Sequence, residues 1–179
     1  MSRRRIMLMN GQEDDEMDKW ETIIDWTAEE TMLSKTFTTD DNGEPFELKK
    51  VSIFVAVAPP EDSSITTNME FNVSLTSKAS AFAASLGGAP KYGEKNHYGH
   101  VLFTPTPYGL YPIIQTYSAN NTNINNNLQN KYNSLGFNSV GDDGLIKPAP
   151  ETCTIVSVGS HYQKCLFKGT RVLVKGVRV

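Results

Sequence analysis

The chain carries few of the side chains that covalent or metal chemistry needs. It has two cysteines, three histidines and two tryptophans in 179 residues. Cys153 and Cys165 form no CxxC pair and have no histidine at ligand spacing, which argues against a zinc site. There is no GxSxG nucleophile elbow, and "SLGGAP" lacks the Lys-Ser/Thr of a phosphate loop. The longest apolar run is about ten residues, around Ile53 to Pro59, against about 20 for a helix that crosses a bilayer. At the N-terminus only Ile6 to Met9 are apolar in succession, short of the roughly 7–15 residues of a secretory signal. The chain is therefore expected to be made in a cytoplasm and kept there at first. A net charge of −3 gives no basic face, so neither nucleic acid nor a membrane is an expected partner.

What is present is strand pattern. The length suits one domain. Residues 1–18, with "RRR", a Met-rich stretch and "EDDEMD", read as a flexible tail or anchor. Residues 19–179 read as one β-sandwich domain. "NMEFNVSLTS" alternates cleanly, with Met69, Phe71, Val73 and Leu75 on one face and Glu70, Asn72, Ser74 and Thr76 on the other. "VSIFVAV" puts Val51, Ile53, Val55 and Val57 on one face and Phe54 and Ala56 on the other; a strand apolar on both faces belongs at the centre of the packing. "KWETIIDWTAEE" and "SKTFTT" read as strands, "SAFAASLGGAP" as a strand or a helical turn. Strands are expected at about 98–104 and 109–117, with Pro105 and Pro107 marking an edge or corner. Nine asparagines between residues 118 and 138 mark a long polar loop. "TCTIVSVGS", "YQKCLFKG" and "TRVLVKGVRV" supply the last three strands. The expected fold is all-β: a jelly-roll-like antiparallel β-sandwich of about 9–10 strands.

Four groups of residues are candidates for chemistry. "DDNGEPF" holds adjacent Asp40 and Asp41 but not the alternating ligands of an EF-hand, and Asn42-Gly43 with Pro45 is turn chemistry. His97 and His100 stand at i and i+3 in "NHYGH" with only Glu94 near in sequence; no metal and no cofactor is expected. Cys153 and Cys165 lie symmetrically about Gly159. A hairpin centred there would bring them opposite one another, as a near-disulfide or as two reduced thiols. The aromatics are the most suggestive set. Tyr92, His97, Tyr98, Tyr108 and Tyr111 cluster at loops and strand ends, either as ordinary strand-end tyrosines or as a platform for stacking on a sugar. No pair of carboxylates is placed to converge as in a glycosidase, and no enzymatic activity is expected.

Two segments carry a resemblance. Trp20-Glu21, Glu29-Glu30, Thr39-Asp40-Asp41, Gly43, Pro45-Phe46 and Leu48-Lys49 resemble a stretch common in small β-rich tail-fibre, baseplate and head-fibre proteins of bacteriophages and prophages of Gram-positive bacteria. Gly169-Thr170-Arg171, Val174, Gly176 and Arg178 resemble that family's closing strand, with Val177 inserted before the final arginine. The match covers about the first 60 residues and the last 12. It implies a jelly-roll-like β-sandwich, a virion location and no enzymatic activity. The open edges of such a sheet make a homo-oligomer the expectation, with a trimer as the candidate. Its partners would be other virion proteins. The alternative is a carbohydrate-binding module for a cell-surface glycan.

Overall fold

A computed structural model of the chain describes residues 18–67, 69–76, 81–106, 109–118, 151–160 and 162–179; for residues 70, 81–88, 106, 109 and 111–118 it describes the backbone alone. Among the described residues nine strands form: β1 (Glu21–Thr27), β2 (Ser34–Phe37), β3 (Leu48–Val57), β4 (Met69–Thr76), β5 (Ala81–Ala89), β6 (His97–Thr106), β7 (Gly109–Ser118), β8 (Ile155–Gly159) and β9 (Arg171–Arg178). They make a five-stranded sheet in the order β1-β9-β3-β6-β7 and a four-stranded sheet in the order β2-β8-β4-β5. Every pairing is antiparallel.

The pairings nest. β1 pairs with β9, β2 with β8, β3 with β6 and β4 with β5, while β7 adds to the outer edge of β6. That is one long hairpin rolled over on itself and split between two sheets, the jelly roll. The ladders β3–β9 and β4–β8 stitch neighbouring pairs into each sheet. The expected sandwich is therefore present, with the expected number of strands. "SAFAASLGGAP" is a strand, β5. Pro105 lies on β6 beyond the last residue paired with β3 and opposite Leu110 of the edge strand β7, while Pro107 lies outside the described residues.

The alternating strands deliver the core. Val51, Ile53, Val55 and Val57 from β3 face Phe71, Val73 and Leu75 from β4, joined by Val101 and Phe103 from β6 and Val172 and Val174 from β9. Met69 packs against the edge of this cluster. In β1 a bulge between Thr22 and Ile24 breaks the period of two, so the consecutive residues Ile23 and Ile24 are both buried.

One sequence expectation fails. Residues 162–168 do not form a strand. Cys165, Leu166 and Phe167 are all buried in succession, and the segment makes a single bridge, Leu166 to Met32. Consecutive burial is incompatible with a half-buried strand; the segment instead plugs the gap between β2 and the start of β9. Thr170, fully buried, then ties two strand ends together. Its hydroxyl accepts the Ala58 amide at 3.1 Å, and its carbonyl accepts the Ala28 amide at 2.8 Å.

The acidic turn is structural. Asp40 Oδ1 accepts the amides of Asn42 and Glu44 at 2.9 and 3.0 Å, and Oδ2 accepts Arg178 Nη2 at 2.6 Å. Gly43 takes φ +82°, which the turn needs and glycine supplies at little strain. Asp41 docks the turn onto the β1 bulge: its amide bonds the Ile23 carbonyl at 3.0 Å, and its carboxylate accepts the Asp25 amide at 2.9 Å. Phe46, 3% exposed, then enters the core ahead of β3. Arg178 also pairs with Glu21, so the last strand, the first strand and the turn share one guanidinium.

The Glu44 amide, followed by the Asn42 amide and Arg178, holds the Asp40 carboxyl below the ordinary aspartate range despite the opposing effect of burial. A lowered folded pKa contributes stability that is complete above the unfolded value, about 3.9, and is lost as pH falls through the folded value. Asp40→Asn should therefore lower the thermal midpoint near neutral pH, and its deficit relative to wild type should shrink below about pH 4. Calorimetry across that range checks it; a deficit independent of pH would show that Asp40 acts without its charge.

Candidate functional site

The inner faces of both sheets are used up by the core. The outer face of the five-stranded sheet is where chemistry gathers, because register brings residues far apart in sequence into one patch. Phe54 on β3 stands opposite His100 on β6 and Leu173 on β9. Two residues along, Ala56 stands opposite Tyr98 on β6 and Arg171 on β9. A small floor residue thus lies between two long side chains, with Phe54, His100 and Leu173 as the row behind it. The result is a depression of about 350 Å³, lined by these six residues and the backbone of Val55 and Gly99. That is at the lower end of the volumes usual for small-ligand sites.

The Phe54–His100 row and the Arg171 wall are both braced. The Phe54 and His100 rings stack with centroids 4.0 Å apart and planes 1° from parallel. Ser52 Oγ lies 2.9 Å from His100 Nε2, which fixes the imidazole plane against Phe54. Arg171 donates from Nε to Asp25 Oδ1 at 2.9 Å and from Nη2 to Oδ2 at 2.7 Å, a bidentate fork. Arg171 in turn holds the Asp25 carboxyl below the usual aspartate range. Phe54 is 42% and Tyr98 50% exposed, high for residues at mid-sheet. Ser52 sits on β3 between β6 and β9, paired in register with Leu102 and Lys175.

The sequence-derived cluster is divided by this geometry. Of the five, Tyr98 lines the depression. His97, one residue away, points to the other side of the sheet. Its register partner Val57 is a core residue, and its Nε2 lies 3.3 Å from Glu94 Oε2. His97 and His100 therefore face opposite ways and do not form an i, i+3 ligand pair. Tyr92, 51% exposed, belongs to a separate turn in which its amide bonds the Ile65 carbonyl at 2.8 Å and the Lys91 amide donates to Glu94 at 3.0 Å. Tyr111 pairs in register with Thr104 on β6, six residues from Tyr98 and about 20 Å along the sheet at a strand rise of about 3.3 Å. Tyr108 lies outside the described residues, as do His161, most of the asparagine-rich loop and residues 1–17. Phe54, Ala56, Arg171 and Leu173 were not candidates from sequence. The signal for them was the apolar second face of "VSIFVAV", which reads equally well as a face covered by protein.

Cys153 and Cys165 are both buried and both free. The hairpin that would set them face to face does not exist, because β8 pairs with β2 and β4 rather than with the segment after Gly159. Burial pushes the Cys153 thiol up to about 12. At about pH 8, well below that, native protein should take up iodoacetamide at neither thiol over hours and at both once unfolded in guanidinium. Intact-mass measurement reads the result, and prompt native labelling would contradict the burial.

Among the described residues no group of three or more His, Cys, Asp or Glu is arranged to hold a metal ion. Compared with known proteins, the chain matches no family model, no curated protein and no solved structure.

Proposed function

We propose that this chain is a non-enzymatic structural protein of a bacteriophage or prophage particle, a tail, baseplate or fibre component made in the bacterial cytoplasm. The observation that carries this reading is the nested strand pairing. It closes the chain into a rigid two-layer body whose fold class serves in viral shells and in lectins. The fold by itself does not fix a role; the resemblance of the acidic turn and of the closing strand to phage structural proteins directs the choice. In this role the sandwich is a scaffold, residues 1–18 an anchor, and the outer sheet face that carries the half-exposed Phe54 and Tyr98 a contact surface for other virion proteins or for copies of the chain. Mass spectrometry and antibody labelling of gradient-purified particles from a producing strain test it. The chain should be present at fixed stoichiometry in intact particles; its absence from them rejects the role.

A second reading, a carbohydrate-binding module, is favoured by one specific observation: the half-exposed Tyr98 beside the Ala56 floor.

A further inference from the structure

We propose that the depression formed by Phe54, Ala56, Tyr98, His100, Arg171 and Leu173 is a binding site for one ring of a neutral glycan. The inference rests on the carbohydrate-binding reading and assigns it a place and a ligand class.

The shape comes first. Arg171 and Tyr98 lie on strands β9 and β6, one on each side of β3. Strands about 4.8 Å apart put their backbones roughly 10 Å from each other. With only a methyl group at Ala56 between them, the gap is one ring wide. It is bounded behind by Phe54, His100 and Leu173 and open to solvent above. A chain of sugars can lie across such a depression with one unit seated.

The chemistry comes second. A pyranose presents patches of C–H and a girdle of hydroxyls. Phe54, Ala56, Leu173 and the Tyr98 ring offer apolar surface for the first, and aromatic rings supply it at little cost in side-chain entropy. The Tyr98 hydroxyl and the Arg171 guanidinium offer polar atoms for the second. Asp25 occupies Nε and Nη2 of Arg171, which leaves the Nη1 side of the planar group outside that fork.

Charge decides against an anionic ligand. The guanidinium is already neutralised by a bidentate carboxylate at 2.7 and 2.9 Å. A phosphate or an acidic sugar would have to displace Asp25 or share a cation with it, on a chain whose net charge is −3. A neutral ligand meets no such opposition. The same argument disfavours nucleic acid, whose binding depends on phosphate neutralisation.

The test uses the full chain on an array of printed neutral and acidic glycans, with three variants. Tyr98→Ala removes one wall, and Ala56→Leu fills the floor. Lys175→Ala changes the same strand as Arg171, away from the depression, and serves as control. Circular dichroism and thermal midpoints check that all three remain folded. Wild type and Lys175→Ala should retain the same neutral glycans, while Tyr98→Ala and Ala56→Leu should each weaken binding roughly tenfold or more. Retention unchanged in both site variants overturns this site and leaves the carbohydrate reading standing. Selective retention of acidic glycans overturns the neutral-ligand assignment. Wild type that retains no glycan overturns both site and reading, and in that case capture of a purified virion protein lost in Tyr98→Ala would assign the patch to assembly.

Discussion

Replacing Gly159 by alanine should cost at least about 3 kcal/mol and leave little folded protein under mild denaturant. Gly159 closes β8 at φ +118°, a conformation that L side chains rarely adopt. A Cβ there would lie 2.4 Å from the Leu33 carbonyl oxygen and 2.7 Å from Ser34 Cα, both backbone atoms. Neither can step aside like a side chain. Ser34 is the cross-strand partner of Gly159, and the Leu33 carbonyl accepts the Ser160 amide at 2.9 Å. Relief therefore means moving β2 away from β8, on the pair that joins the second strand to the second from last. Gly43→Ala is the informative comparison. It also has positive φ, but a Cβ there meets nothing within 4 Å, so its cost should stay near 1 kcal/mol. Urea unfolding of both variants separates strain from collision. If the two lose equal stability, the close approach of β2 to Gly159 is wrong.

Much of the fold was legible because the relevant forces are local. Strict alternation in residues 69–76 and 51–57 assigns those strands and their inward faces, and Phe71, Val73, Leu75, Val51, Ile53 and Val55 are all in the core. The turn at Asp40 was legible for the same reason: Asn-Gly and proline impose their geometry within four residues. Two things were not. "YQKCLFKG" has hydrophobic residues two apart and reads as a strand, but Leu166 between them is buried as well, and only the surrounding packing tells a plug from a strand. The site was the harder case. Proximity along the chain grouped Tyr92, His97 and Tyr98, yet a period of two sends His97 and Tyr98 to opposite faces. The residues that do meet, at positions 25, 54, 98 and 171, are brought together by ladder register across β1, β9, β3 and β6, strands far apart in sequence. The apolar second face of β3 was visible in sequence; whether a second layer covers it was not.

Placing a carboxyl at Val174 should reverse the pH dependence of the whole domain. Val174 lies on β9 between Ile24 on β1 and Ile53 on β3, all of them at most 1% exposed. An ionised aspartate there would cost several kcal/mol in lost hydration with no cation to meet it. The side chain would take up a proton instead, so its folded pKa would lie above the unfolded value of about 3.9. A raised carboxyl pKa means that the folded state binds the extra proton. Val174→Asp should therefore be unfolded or nearly so at about pH 7 and regain stability toward about pH 4, as pH drops below the raised value. Wild type should move the other way in the acid range, because Asp40 and Asp25 both have lowered values. Val174→Thr keeps the shape and adds only a hydroxyl, so a loss of about 1–3 kcal/mol with no new pH dependence is expected. Urea titrations at the two pH values read both variants. The effect is large because β9 is, among the described residues, the only strand paired with β1, and it lies between β1 and β3. Prising β9 out frees the outermost pair of the nested hairpin, and Arg178 then loses its hold on Glu21 and on the Asp40 turn. Native-like stability in Val174→Asp at neutral pH would mean that β9 does not close the roll.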